Sequence, residues 1–355
     1  MATPKFPTVK QSFHAELKRR TNDYFESTGK SATGNQQLYL KAILLFAGFV
    51  FLYVHLVFFT PGIFLALAEC ILLGFVVAGI GFNIMHDGAH GSFSKHKWVN
   101  SIAAYSLNLL GGSSFMWNVK HNVIHHAYTN VDGVDDDINI QPWMRMSTTQ
   151  PKLGMHRYQH FYFWFLYSML YILWIFVLDF QKYFRRKIGE MPIKKMDPFD
   201  HIVFWGFKLA YIALFVAVPI YTLGLVSWLV GFLTFSVVAG FIISIIFQLA
   251  HTVEHTAFPV PHKETGRLED EWAIHQLKTT ANFAPKSKLI SWFVGGLNFQ
   301  IEHHLFPKIS HVHYPALRKI IKQACNEFNV PYVEYRKMRH AVVSHVNFLK
   351  QMGRA

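Results

Sequence analysis

The sequence predicts an all-α integral membrane protein, with about four transmembrane helices in two hairpins, interfacial helices, and a cytosolic helical cap holding a di-metal site. Three observations predict it. Nearly unbroken apolar sequence runs from Leu38 to Ile84 and again from Ile202 to Leu249, and each run is long enough for two bilayer crossings of about 20 residues. Most basic residues lie beside these runs, as cytoplasmic flanks do. Histidines recur in closely spaced groups, two of them where an apolar run ends.

Composition excludes the main alternatives. With 34 Phe, 15 Tyr and 9 Trp in 355 residues, the chain has far too much surface to bury to be disordered. Its two cysteines, Cys70 in an apolar run and Cys325 in a polar stretch, exclude a disulfide scaffold. The net charge of +13, from 34 Lys+Arg against 21 Asp+Glu, comes from residues beside the apolar runs, so it argues for a membrane flank and not for nucleic acid. Met1 to Gln37 is polar with no signal-peptide core, which predicts a cytosolic N-terminus.

In chain order, residues 11–29 fit an amphipathic helix, with Phe13, Leu17, Tyr24 and Phe25 among Lys18, Arg19 and Arg20. Spans follow at roughly 38–59 and 63–85, separated by Thr60-Pro61-Gly62. His55 and Glu69 lie inside this hairpin and either satisfy each other or line the end of a cavity. Residues 101–117 carry Asn108, Gly111, Gly112, Ser113 and Ser114, so they read as interfacial or re-entrant. The acidic stretch Asp132 to Asp137 reads as a solvated loop. An aromatic-rich segment at 161–180 leads into a basic linker containing Lys182, Arg185, Arg186 and Lys187. Two further spans, roughly 202–223 and 225–250, meet at Gly224, and His251 to Ala355 is soluble in character. The chain reads as a single domain over 1–355.

The histidines fall into four groups: His86 and His90; His121, His125 and His126; His251 and His255; and His303 with His304, preceded by Gln300. Residues four apart on a helix lie on one face, one turn apart. Imidazole suits iron, copper, zinc and nickel, and four such groups can hold two metals. Topology gives an independent check. Two spans return the chain to the cytosol at His86. For His251 to reach the same side, one of the later apolar segments must fail to cross. Residues 161–180 fit, since His156, Arg157 and His160 border them on one side and the basic linker on the other. Four spans then bring all nine histidines to one membrane face.

At this point the residues resemble a known family. His86-Asp-Gly-Ala-His90, His121-Asn-Val-Ile-His-His126 and Gln300-Ile-Glu-His-His304 look like the three histidine boxes of membrane fatty acid desaturases. The continuation Gln300-Ile-Glu-His-His-Leu-Phe-Pro307 is similar to the third box of the front-end, linoleoyl-CoA-like branch, where glutamine replaces the first histidine. The resemblance covers roughly residue 80 onward. It implies two non-haem iron ions with O₂ as co-substrate, and metal ligands His86, His90, His121, His125, His126, His251, His255, His303 and His304. It further implies an additional ligand just after the last span, where His255 sits. The family commonly has Asn where this chain has His251, so His251 and Gln300 are expected to have exchanged roles. Gln300, Asp87, Asn122, Glu254 and Glu302 are candidates for orienting the imidazoles, or are simple polar residues of helix surfaces.

The implied reaction removes two hydrogens from adjacent carbons of a fatty acyl chain, carried on CoA or a membrane lipid, and leaves a cis double bond and water. Front-end relatives carry a fused cytochrome with a His-Pro-Gly-Gly motif that this sequence lacks. The resemblance therefore implies electrons from a separate ferredoxin or small cytochrome with its reductase, drawn to a basic cytosolic surface. It also implies a bacterial plasma membrane with the site on the cytosolic face. The acyl slot is expected along 161–180 or within the spans, although aromatic stripes also serve plain packing. The polar run Trp272, His275, Gln276, Thr279, Thr280 and Asn282 resembles family sequence near the substrate head or the site. Two rival readings are a di-iron hydroxylase or ketolase of lipids and a metal transporter. Transport fits poorly, because only His55 lies deep in a span.

Overall fold

The computed structural model describes residues 3–9 and 12–355. Helix α1 (Phe13–Thr28) realises the expected N-terminal amphipathic helix and stops at Gly29 in the left-handed region; position 11 lies outside the described residues. Helix α2 (Gln36–Phe59) is capped by Asn35, whose Oδ1 accepts from the Leu38 backbone. It ends where Thr60 turns to φ 44° ahead of Pro61. Helix α3 (Ile63–His90) returns antiparallel to it. Toward the turn of this hairpin the half-buried His55 ring lies 2.9 Å from the buried Glu69 carboxylate, so the two polar groups satisfy each other.

The segment expected at 101–117 is two elements. Helix α4 (Lys97–Leu109) ends in a turn at Gly111, and helix α5 (114–128) begins at Ser113, which caps it through the Met116 backbone. Gly88 is where α3 meets α4. A Cβ there would lie 2.6 Å from the Ala103 Cβ and 2.7 Å from the Ala104 nitrogen, so only glycine permits this approach.

Beyond a loop lies helix α6 (Gly154–Arg185), then the hairpin of α7 (Pro198–Leu223) and α8 (Leu225–His251), joined at Gly224. Among the described residues, five helices (α2, α3, α6, α7 and α8) are long and apolar enough to cross a membrane. The contacts of α6 are informative. Trp164 meets Phe241, and twelve residues on Phe176 meets Phe232, so α6 runs against the direction of α8. Phe176 also meets Tyr211 while Tyr183 meets His201, so it runs against α7 as well. The legs of a hairpin point in opposite directions, so a helix crossing beside them would follow one and oppose the other. Opposing both requires α6 to lie across them like the crossbar of an A.

Its Tyr167 hydroxyl reaches His345, which in turn contacts Thr252 next to His251, and its Tyr183 hydroxyl reaches His201 near the start of α7. The Lys208 ammonium staples this arrangement by donating to Asp179 Oδ2 at 2.9 Å, Gly111 O at 2.6 Å and Ile175 O at 2.9 Å. Apolar side chains on the outer faces of the long helices, among them Phe64, Ile202 and Val226, are exposed, as a lipid-facing surface requires.

The cap consists of helices α9 (Trp272–Thr279), α10 (Lys288–Phe293), α11 (Gln300–Leu305), α12 (Tyr314–Glu327) and α13 (Met338–Arg354). Leu17 of α1, Leu277 of α9, Ile301 of α11 and Leu317 of α12 form one buried cluster. Two short parallel strands, β1 (Asn282–Phe283) and β2 (Glu334–Tyr335), fasten the ends of this unit together.

The staple yields a test. Lys208→Met leaves the buried Asp179 without its cation and is expected to destabilise the fold by about 3–5 kcal/mol. Adding Asp179→Leu recovers part of that loss, because the uncompensated charge is gone. Thermal unfolding of the detergent-solubilised single and double variants checks this, and a double variant worse than Lys208→Met would contradict it.

Candidate metal centre

Four elements converge beneath the cap. The end of α3 carries His86 and His90, and α5 carries His121, His125 and His126. The last residue of α8 is His251, and α11 carries His303 and His304. Their donor atoms form overlapping groups within 4.8 Å: His86, His90, His121 and His303; His125, His251 and His304; and His126 with His303 and His304. Ring centroids lie 4.4 Å apart for His86–His303 and for His126–His304, and 4.7 Å apart for both His125–His251 and His251–His304. Two adjacent sites of three or four imidazoles each emerge, with His126, His303 and His304 between them.

A local departure from the α-helix explains how α5 contributes three ligands. In an α-helix, residues five apart are about 140° apart around the axis, so His121 and His126 would diverge. Residues 118–125 form a π-helix, whose i→i+5 bonding brings such residues over one another. The Nε2 atoms of His121 and His126 are consequently 3.2 Å apart. A second π turn, 81–85, immediately precedes His86.

The rings are held from behind. His125 Nδ1–H donates to Asp135 Oδ2 at 3.0 Å, His304 Nδ1–H to Gln276 Oε1 at 2.8 Å, and His251 Nδ1–H to the Thr279 carbonyl at 3.2 Å. His303 Nδ1 lies 3.1 Å from the Tyr314 hydroxyl. Carboxylate and carbonyl partners can only accept, so they hold a proton on Nδ1 and turn Nε2 toward the other rings. The Nε2 atoms of His90, His125, His251, His303 and His304 are buried with no partner among the described residues. Buried polar atoms are normally satisfied, and orphaned lone pairs facing one another are what a bound cation would satisfy. Burial, reinforced by the neighbouring imidazoles, pushes His121, His126, His303 and His304 well below the usual histidine value, so these rings stay neutral and able to ligate. The residues present fit a pair of metal ions.

The structure brings together eight of the nine expected ligands and leaves His255 out. Helix α8 stops at His251, with Thr252 leaving helical geometry, so the one-turn relation between positions 251 and 255 is lost. His255 is exposed, 6.4 Å from the Tyr335 ring. Gln300 is buried at the start of α11, with its Oε1 unpartnered among the described residues.

None of the other candidate orienting residues bonds a ligand ring. Asp87 accepts from Ser310 Oγ and His311 Nδ1, tying the end of α3 to the segment after α11. Asn122 donates to the Ala89 carbonyl. Glu254 is exposed and accepts from Asn347. Glu302 accepts from Asn282 and Tyr332, and burial pushes its carboxyl up to about 7.

The orienting groups come from stretches that the sequence left undervalued. The acidic stretch is not a solvated loop: Asp135 is buried and Asp137 pairs with Lys120 and approaches His125. The polar run ahead of the third histidine group is buried too. Gln276 holds His304, and Trp272 Nε1 donates to the His126 carbonyl. An acidic residue ten positions after a ligand histidine was the available signal.

Comparison with known proteins bears on the identity of the site. The fatty acid desaturase family model matches residues 61–336. The chain is a member of the fatty acid desaturase family. It is 37% identical over 344 residues to an sn-1 linoleoyl-lipid 6-desaturase of Arthrospira platensis, covering 96% of this chain and 92% of the relative. It is 36% identical to the protein of that name from Synechocystis sp., covering 98% and 97%. An acyl-lipid (8-3)-desaturase of Physcomitrium patens is 38% identical over 349 residues, covering 97% and 72%. These relatives place this desaturase in the front-end branch, as an oxidoreductase and a multi-pass membrane protein.

Two variants separate ligand from neighbour in this desaturase. His251→Ala is expected to lower metal bound per protein markedly, while His255→Ala leaves it unchanged; elemental analysis of purified protein reads both. Asp135→Ala, which frees the back of His125, is expected to weaken metal binding about 10–100-fold, measured by equilibrium dialysis.

Proposed function

We propose that this desaturase introduces a cis double bond into an acyl chain of a membrane lipid, between an existing double bond and the carboxyl end. It uses O₂, two iron ions and electrons from a separate ferredoxin or small cytochrome. The observation that carries the reading is the convergence of orphaned imidazole lone pairs from four elements beneath one buried cap. The relatives named as acting on linoleoyl-lipid at position 6 support the substrate class and the front-end position.

In this reading α2, α3, α7 and α8 span the membrane, α6 lies across the second hairpin, and the cap faces the cytosol of a bacterium. The placement of Tyr167 beside His345 and Thr252, and of Tyr183 beside His201, near one end of the α7–α8 hairpin supports it. The surplus of basic residues suits an acidic donor protein.

Removal of hydrogen from an unactivated methylene needs an oxidant stronger than any side chain, and iron with O₂ supplies it. His86, His90, His121 and His303 would hold one ion, and His125, His251 and His304 the other, with His126 between them. Asp135, Gln276 and the Thr279 carbonyl engage the Nδ1 atoms of His125, His304 and His251, which would leave their Nε2 atoms available to the ions. The cap excludes bulk water, since Leu305, His303 and His304 are fully or almost fully buried.

Expression in a desaturase-deficient host fed defined fatty acids, with gas chromatography–mass spectrometry of total lipids, tests the proposal. A new alkene on the carboxyl side of an existing double bond, absent in His303→Ala, is the expected result. A hydroxylated product without an alkene would instead establish the hydroxylase chemistry of related di-iron enzymes.

A further inference from the structure

A polar cavity of about 560 Å³ opens beside the metal centre, within the size range of small-molecule sites. Its lining includes His90 and Asn118 on the metal side, Lys97 at the start of α4, Asp200 in the first turn of α7, and Lys308 just beyond α11. Both lysines are exposed, and neither makes an ion pair among the described residues. Asp200, the only acidic residue of the lining, accepts instead from the Asp197 backbone in the cap of α7. The cavity therefore offers two uncommitted cations. Trp98 and Ile102 on α4, beside Lys97, are 66% and 62% exposed, while Asn100, Ala103 and Leu107 are buried. Apolar side chains standing out beside a lysine are the mark of a helix lying in the headgroup layer.

We propose that this cavity seats the anionic head of the glycerolipid being desaturated, with its phosphate between Lys97 and Lys308. The inference rests on the acyl-lipid reading above and adds to it the head class and the residues that select it. Two lysines match a head with one phosphate, whereas an acyl-CoA carries three phosphate groups and would leave most of its charge unpaired here. Position supports the same assignment. Because a metal ligand forms part of the lining, a head bound in the cavity lies only a short stretch of chain from the metals. The enzyme then counts from the carboxyl end, which is the front-end outcome.

The test uses purified full-length enzyme in nanodiscs of equal phosphatidylglycerol and phosphatidylcholine with identical acyl chains. Lipid retained after detergent extraction is quantified by class, and acyl conversion by class is followed in parallel with iron, O₂ and reduced ferredoxin supplied, with acyl-CoA as a third substrate. Phosphatidylglycerol is expected to be enriched and converted first. The pair Lys97→Glu and Lys308→Glu should reduce the enrichment at least about fivefold, raising KM for phosphatidylglycerol with little change in kcat. The pair Lys97→Arg and Lys308→Arg should restore it. The exposed control pair Lys263→Glu and Lys337→Glu carries the same charge change and should leave the enrichment intact, which separates a seat from general attraction to a basic protein. Equal retention of both lipids, equal loss in the control pair, or preferred conversion of acyl-CoA would overturn the proposal. Enrichment without conversion of any substrate would leave the head site standing and count against the desaturase reading.

Discussion

Eight imidazoles brought together, seven of them buried and His90 half-buried, each needing its lone pair directed inward, impose the constraint on which the rest of this structure depends. A buried acceptor with no donor costs about 1–3 kcal/mol, so the cluster without cations is held in place by its surroundings. Those surroundings supply acceptors behind the rings. Asp135, Gln276 and the Thr279 carbonyl each take an Nδ1 proton and thereby choose which nitrogen faces the centre. The cap is therefore more than a lid: it carries two of these acceptors, on α9, and two of the ligands, on α11.

The same constraint shapes the long helices. His90 ends α3 and His251 ends α8, so both hairpins must finish at one face. Between them α6 packs against both α7 and α8, opposing the direction of each. Its position has a polar cost, met by the Lys208–Asp179 pair and by the carbonyls of Gly111 and Ile175 that Lys208 also satisfies. At the other side of the site, α4 presses against Gly88, which leaves room between α4, α5 and α7 for the polar cavity beside His90.

The π turns show how sequence spacing and ligand geometry are reconciled. Spacings of four residues at His86–His90 are already correct for an α-helix. The spacing of five at His121–His126 is correct only where the helix is wound more widely, and 118–125 adopts that winding. Insertions of this type concentrate at functional sites because they re-aim one side chain without breaking the helix.

By itself the sequence determined the all-α membrane class, the positions of the long apolar helices and most of the histidines that converge, because apolar run length and histidine spacing are local properties that a helix translates directly into position. The pairing of His55 with Glu69 was legible for the same reason, as two ionisable groups in one hairpin have few other partners. What tertiary structure decided depends on contacts between distant segments. His255 falls away because α8 ends one turn early, at a point that spacing alone does not mark. Asp135, Gln276 and Tyr314 take the orienting roles expected of Asp87, Asn122 and Glu302, since adjacency in sequence places a residue beside a ligand's backbone but not behind its ring. The way the long aromatic helix α6 packs against both legs of the α7–α8 hairpin is likewise a tertiary fact, which no hydropathy profile contains.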